Sequence, residues 1–189
     1  MEARSDDRLK RKTLSALHYL LLLGGALLLL AAGAKLNPWL TTAALPAGWI
    51  VGSLAEYAVH RFVLHGPPLT AGVHTRHHAA PTLDQIDPLS YLGPLAVALI
   101  SWFALGALLG NAALANGATA GLCLQYSWFR AVHRRMHRPG HRMARGARAH
   151  FHRGHHADTG CNFGVTTLLW DYLFGSRHVP AQEKSGNPR

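Results

Sequence analysis

Charged residues are scarce in this chain of 189 residues: only 15% are Asp, Glu, Lys or Arg, whereas 49% are hydrophobic. Soluble domains carry about 25% charged residues. The two cysteines, Cys123 and Cys161, form no C-x-x-C pair, which indicates neither a disulfide framework nor a thiolate metal site. The sequence also lacks a glycine-rich nucleotide-binding motif and a Ser-His-Asp hydrolase signature, so it gives no sign of binding its own reductant.

The apolar residues are concentrated in long uncharged runs, at 14–34, 36–55 and 88–129. A membrane-spanning helix needs about 20 predominantly apolar residues, so the third run is long enough for two spans with a turn at 111–117. The first run is too long for a signal peptide, whose apolar core has about 7–15 residues. We therefore predict an all-α integral membrane protein with four transmembrane helices, at about 14–34, 39–59, 89–109 and 115–134.

Basic residues are distributed unevenly over this topology. Of the 19 Lys and Arg residues, only Lys35 falls on one side of the membrane, and the other 18 fall on the side of the two termini. Positive residues accumulate on the cytoplasmic side, so both termini are predicted to be cytoplasmic. Topology and anionic lipid thus account for the net charge of +10, and no nucleic acid is expected. The predicted organisation is a basic cytoplasmic tail at 1–13, a membrane domain at 14–178 and a disordered tail at 179–189.

Ten of the 14 histidines form four groups, each at a cytoplasmic helix end or in a cytoplasmic loop of the predicted topology. The groups are His60 with His65; His74, His77 and His78; His133 with His137; and His152, His155 and His156. Spacings of three and four place histidines on one helix face, so all three members of each H-x-x-H-H group can face the same way. His60 and His65 lie about 140° apart on an α-helix, which suggests that they straddle the end of the second span.

Neutral imidazole is the commonest protein ligand for metals, and ten ligands exceed the needs of one ion. Two ions with about five histidines each are therefore predicted, in a cytoplasmic helical cap. A transporter would place its ligands near the middle of the bilayer, whereas these lie at its boundary, within reach of an acyl chain. An iron pair there could activate dioxygen, which zinc cannot do because it has no redox chemistry. No ligand role is predicted for His18, His141, His150 and His178.

Three further stretches carry a resemblance to a known family. Residues 56–65 (EYAVHRFVLH) and 77–84 (HHAAPTLD) are similar to the first histidine box and the H-H-x-x-P-x-D stretch of the fatty acid hydroxylase / sterol desaturase superfamily. Residues 162–176 (NFGVTTLLWDYLFGS) resemble its C-terminal signature. The resemblance covers about 50–176 and is greatest to fatty acid and ceramide 2-hydroxylases. It implies that the ten grouped histidines bind two metal ions, expected to be iron, although zinc could replace iron in preparations.

The resemblance implies hydroxylation of a lipid acyl chain with dioxygen. The chain has no fused cytochrome b5-like domain, so a separate electron-donor protein is expected. The stretch between the first two boxes is short, which trims a loop that could influence the choice of substrate. The alternatives are a carotenoid ring hydroxylase, a sterol-desaturase-like oxidase and, from another class, a non-catalytic metal-binding membrane protein.

Acidic residues near the histidines are candidates to accept hydrogen bonds from the ligand rings. Glu56 lies one turn before His60, and Asp84, Asp87 and Asp158 follow the H-x-x-H-H groups. Glu56, Asp84 and Asp158 are therefore predicted to support the ligands, although Asp84 and Asp158 could equally serve loops or helix caps. Asp171 is predicted to be structural, in a segment at the membrane interface. The arginines between 130 and 153 fit contact with anionic lipid or, alternatively, docking of an acidic electron carrier.

Overall fold

The computed structural model describes residues 2–66, 68–81 and 88–178. Within those ranges every regular element is helical, which confirms the all-α prediction. The elements in chain order are α1 (Glu2–Leu36), α2 (Pro38–Ala58), a π-helical turn (Val59–Leu64), α3 (Pro68–Ala79), α4 (Pro88–Leu109), α5 (Ala112–Met136), a 3-10 turn (Arg142–Arg145), α6 (Ala147–Ala157) and α7 (Leu169–Leu173). Asp84, Asp87 and the predicted tail at 179–189 lie outside the described residues.

The connection between α4 and α5 is shorter than the sequence predicted. Gly110 adopts a positive φ of 57°, which is the usual way to end an α-helix. The side-chain oxygen of Asn111 then accepts hydrogen bonds from the backbone N–H groups of Ala113 and Leu114. This is the geometry of an N-cap, and it explains why α5 begins at Ala112 rather than near residue 115.

The chain divides into two compact units, of which the first comprises residues 1–52 and 84–127. Its helices approach closely through glycines. A Cβ atom added to Gly48 would lie 1.9 Å from the carbonyl oxygen of Ala118, and one added to Gly121 would lie 2.1 Å from that of Leu45. Small residues at helix contacts are typical of membrane helices, since they let the backbones touch.

Two helical stretches in the described part of the chain are long and apolar enough to cross a membrane, Lys12–Leu36 and Leu92–Leu109. They correspond to the first and third predicted spans. The other two predicted spans coincide with α2 and α5, whose composition is less apolar. In α5 the reason is visible, because Asn116, Thr119 and Gln125 are polar residues buried inside the protein.

The second unit comprises residues 53–83 and 128–189. It contains the end of α2, the π-helical turn, α3, the end of α5, the 3-10 turn, α6 and α7. One apolar cluster of this unit contains four buried residues, Val132, Met136, Ala149 and Val165. All ten histidines of the four groups belong to this unit, so the groups that are distant in sequence meet within one compact body.

Candidate metal centre

The ten histidines form two clusters of five. Cluster A consists of His60, His65, His74, His78 and His155, and cluster B of His77, His133, His137, His152 and His156. Within each cluster the five candidate ligand nitrogens lie within 4.8 Å of one another. The clusters are neighbours, since the rings of His78 and His156 stack with their centroids 4.2 Å apart. The predicted set of two groups of about five histidines is therefore the arrangement that the structure contains.

Each H-x-x-H-H group is divided between the two clusters. On α3, His74 and His78 belong to cluster A and His77 belongs to cluster B. On α6 the assignment is reversed, because His155 alone contributes to cluster A. The first and last histidines of each group are four residues apart and share a helix face. The middle histidine, three residues after the first, lies slightly to the side of that face. This offset directs one histidine of each helix into the other cluster. The spacing alone predicted that all three histidines of a group can face the same way.

His60 and His65 enter cluster A through the π-helical turn. The backbone N–H of His65 donates a hydrogen bond to the carbonyl oxygen of His60, 3.2 Å away, which is the i to i+5 pattern of a π-helix. The wider turn brings residues five apart nearer to one face than an α-helix would. The turn closes at Gly66, where an added Cβ would lie 2.0 Å from the carbonyl oxygen of Phe62. The predicted separation of about 140° is thus too large, because it assumed α-helical geometry.

The nitrogen geometry fits metal ions better than hydrogen bonds between the rings. In cluster B, the Nε2 atom of His152 lies 3.0, 2.9 and 3.2 Å from the Nε2 atoms of His133, His137 and His156. A neutral imidazole nitrogen has either one proton or one lone pair, so it cannot satisfy three such neighbours. Two nitrogens bound at right angles to one ion at about 2.1 Å lie about 3.0 Å apart. The donor set of cluster B therefore matches a cation at its centre.

The environment keeps these imidazoles neutral. Burial, reinforced by neighbouring histidines, lowers the pKa of His77 and His156 to about 3. Burial likewise lowers the pKa of His137 and His155 to about 4, although the hydrogen bond to the Cys161 carbonyl opposes the shift at His155. A neutral ring keeps a lone pair for a metal ion.

Two ring nitrogens of cluster A are held by backbone carbonyls of one loop, residues 161–166. The Nδ1–H of His60 donates to the carbonyl oxygen of Phe163 at 2.5 Å, and the Nδ1–H of His155 donates to that of Cys161 at 2.7 Å. These bonds place the proton on Nδ1 and leave Nε2 as the lone-pair donor. Between the two carbonyls lies Asn162, whose φ of 54° makes a left-handed turn.

Two carboxylates hold the same loop from the other side. Glu56 accepts hydrogen bonds from the backbone N–H groups of Val165 and Thr166 and from the Thr166 hydroxyl. Asp171, which is fully buried, accepts from the N–H groups of Phe163 and Gly164. The acceptor for His60 is thus the loop carbonyl, and Glu56, which was predicted to support the ligands, binds the loop. Sequence reasoning gave Asp171 no link to the centre, and the only signal was its position in the C-terminal signature.

The other described residues that the sequence singled out belong to neither cluster. Asp158 is exposed, ends α6 and accepts a hydrogen bond from the N–H of Gly160. The histidines predicted to have no ligand role lie outside both clusters: His18, His141, His150 and His178.

A groove of about 320 Å³ lies close to cluster A in the second unit. Its lining combines apolar side chains with one guanidinium: Leu54, Tyr57, Ala58, Arg61, Phe62 and Phe174. The Phe163 ring is close to both the groove and the cluster, with its centroid 6.1 Å from that of Tyr57 and 5.9 Å from that of His60. The apolar character continues on the surface, where Leu169, Leu173 and Phe174 are exposed.

The described residues form helices that carry two adjacent five-histidine clusters. These features place the protein in the class of histidine-rich candidate di-metal proteins. Its family follows from the sequence comparisons. The family model described as "Fatty acid hydroxylase" matches residues 45–176, and the chain therefore belongs to this family. The match includes every histidine of both clusters.

The relatives agree with this assignment. The chain is 27% identical over 139 residues to the fatty acid 2-hydroxylase of Rattus norvegicus, a match that covers 67% of this chain and 37% of the relative. The chain thus spans little more than a third of the curated relative. A solved structure described as full-length Scs7p, with only the hydroxylase domain visible, superposes with a TM-score of 0.70 at 22% identity. It covers 86% of this chain and 67% of the solved one, so the two share a fold.

Proposed function

We propose that this protein is a membrane-bound di-iron hydroxylase that inserts oxygen into a C–H bond of a lipid acyl chain. One atom of dioxygen enters the C–H bond to give an alcohol, and the other leaves as water. Two electrons from a separate donor protein and two protons from solvent balance the reaction. The observation that carries the proposal is the pair of adjacent five-nitrogen clusters within a chain of the fatty acid hydroxylase family.

In this proposal each cluster holds one ion through the unprotonated nitrogens of its five histidines. When bound, two iron ions supply the redox chemistry that dioxygen activation requires. Imidazole also suits zinc, which would occupy the same nitrogens without supporting the reaction. The chain's own contribution is position: burial keeps the rings neutral, and the loop carbonyls fix the orientation of His60 and His155.

We propose that the acyl chain lies in the groove beside cluster A. Its walls at Leu54, Ala58 and Phe62 are apolar, as an alkyl chain requires, and Arg61 offers one polar anchor at its margin. The exposed apolar residues of α7 extend this surface, and large exposed apolar patches mark membrane or ligand contacts. A lipid could then pass from the bilayer into the groove without leaving an apolar environment.

We propose the four-span topology, with residues 1–13 and the metal centre on the cytoplasmic side and the membrane domain at 14–178. Two helices have the composition of spans, and α2 and α5 have the length. Buried polar residues of α5 would face the other helices rather than lipid. The strong bias of basic residues supports the orientation.

A surface rich in arginine is available for the electron donor. Seven exposed arginines belong to the same unit as both clusters, and they lie on α5, between α5 and the 3-10 turn, on that turn and on α6: Arg134, Arg135, Arg138, Arg142, Arg145, Arg148 and Arg153. Complementary charge accelerates association, so an acidic donor would dock here.

Metal analysis of protein from cells grown on iron-57 tests the proposal, because Mössbauer spectroscopy reports iron alone. We expect two irons per chain, with about one lost in His77→Ala and the other in His155→Ala, since the two residues belong to different clusters. His141→Ala, outside both clusters, is the matched control and should keep two. A zinc pair without iron in freshly prepared active protein would refute the dioxygen chemistry.

Lipid extracts from cells with and without the chain test the substrate. Hydroxylated acyl lipids should depend on the chain and disappear in His155→Ala. Hydroxylated carotenoids or new double bonds in their place would contradict acyl hydroxylation and identify one of the alternative reactions.

A further inference from the structure

The loop at 161–166 is organised by charge as much as by packing. Its four consecutive N–H groups, from Phe163 to Thr166, all donate to carboxylates that are distant in sequence or buried. The distances are 2.7 to 2.9 Å, which is the range of charge-assisted hydrogen bonds. Hydrogen bonds to charged groups contribute more to stability than neutral ones, so this loop is more firmly fixed than an ordinary connection.

The buried carboxylate of Asp171 is also connected to a cation. Its Oδ1 atom accepts from the Ser176 hydroxyl at 2.7 Å, so the Ser176 oxygen is left to accept from the Tyr57 hydroxyl at 2.9 Å. Arg61 in turn donates to the Tyr57 oxygen. This chain of hydrogen bonds polarises toward the guanidinium and stabilises a charge that burial alone would disfavour.

We infer that Glu56 and Asp171 are positioning residues for cluster A: by fixing the amides of 163–166, they fix the carbonyls that orient His60 and His155. The inference rests on the proposed function, since it assumes that the clusters bind metal. The two carbonyls point at two of the five cluster A rings, and the described residues provide no such carbonyl bond to a cluster B ring. Loss of either carboxylate should therefore weaken one metal site and spare the other.

The acceptor pattern predicts which substitutions are damaging. Both carboxylate oxygens of Asp171 accept from backbone N–H groups, so Asp171→Asn must turn its own NH2 group against one of them. In Glu56 one oxygen takes both backbone N–H groups and the other takes a hydroxyl, which can also accept. Glu56→Gln should therefore lie between wild type and Asp171→Asn. Glu56→Leu, which removes both acceptor oxygens and with them all three hydrogen bonds, should resemble Asp171→Asn.

The test counts the metal retained per chain during graded competition with a chelator, using protein loaded with cobalt(II) as the probe. Partners of ligating histidines typically change metal affinity by about 10- to 100-fold, so Asp171→Asn and Glu56→Leu should lose one of two metals that much more readily. The cobalt absorption of the retained site should be unchanged. His141→Ala, which removes a histidine of the same unit that belongs to neither cluster, is the control and should keep both metals.

Two neighbouring histidines identify the weakened site. His77 belongs to cluster B and His78 to cluster A. Added to Asp171→Asn, His77→Ala should remove the remaining metal, whereas His78→Ala should cause no further loss. Glu56→Leu carries the test if Asp171→Asn does not fold.

If wild-type protein binds two metals, the inference is overturned when the carboxylate variants lose both metals equally or retain both fully. Either outcome leaves the proposed function standing. Wild-type protein that binds no metal pair would refute the proposed function and the inference with it.

Discussion

Gly164 is a position in the 161–166 loop where one added methyl group would meet two fixed neighbours. A Cβ atom there would lie 2.1 Å from the carbonyl oxygen of Thr167 and 2.7 Å from the Oδ2 atom of Asp171. Both neighbours are fixed, the first because it is backbone and the second because it is buried and hydrogen-bonded. Gly164→Ala therefore has no flexible side chain to push aside.

The cost follows from two contributions. The loop must open by roughly 1 Å to clear the carbonyl, and overpacking of this kind costs about 1–3 kcal/mol. The charge-assisted bond from the Gly164 N–H to Asp171 is also weakened, which adds up to about 1.5–3 kcal/mol. The sum is about 2.5–6 kcal/mol, or roughly 5–24 °C in the unfolding midpoint of a chain of this size.

The assay is thermal unfolding in detergent, with metal content measured on the same samples. Gly160→Ala is the matched control, because a Cβ there would meet only the exposed Asp158 carboxylate, at 3.2 Å. We expect the control to stay near wild type. Gly164→Ala should unfold earlier and lose metal, since the neighbouring Phe163 carbonyl accepts from His60. Equal midpoints for the two variants would refute the close approach at Gly164.

Three further predictions test other parts of the molecule. Tyr57→Phe breaks the hydrogen-bond chain from Ser176 toward the guanidinium and should cost about 0.5–1.5 kcal/mol in thermal unfolding; an unchanged midpoint would show that the chain is not stabilising. Ala58→Phe fills the proposed acyl groove and should lower hydroxylation while two metals per chain remain, and unchanged turnover would move the substrate elsewhere. Arg134→Glu with Arg138→Glu should slow turnover at low salt and flatten its salt dependence with an acidic donor, whereas salt dependence as in wild type would exclude this surface.

The helices and the membership of the metal centre could be predicted because both depend on local patterns. Long apolar runs indicate α1 and α4, and the spacing of histidines in each group places them on helix faces. Counting the candidate ligands also predicted two groups of about five histidines, which the structure contains. Such properties depend on neighbours within a few residues, which the sequence displays directly.

The division of the histidines and the roles of the acids could not be predicted because they depend on distant contacts. His155 joins His60 across almost a hundred residues of chain, and only the assembled unit shows which cluster it enters. Glu56 lies one turn before His60, and this local proximity suggested direct support of the ring. In the structure the Glu56 carboxylate instead accepts a hydrogen bond from the backbone N–H of Val165, 109 residues away.

The C-terminal signature can now be understood residue by residue. Asn162 tolerates a positive φ, and its side chain exchanges two hydrogen bonds with the backbone of His178. Phe163 places its ring against the rings of cluster A, Gly164 admits the close carbonyl, and Thr166 supplies the hydroxyl for Glu56. All four residues belong to the loop whose carbonyl oxygens bind the rings of His60 and His155. A substitution at any of them should act on metal binding through His60 and His155, although none of them is itself proposed as a ligand.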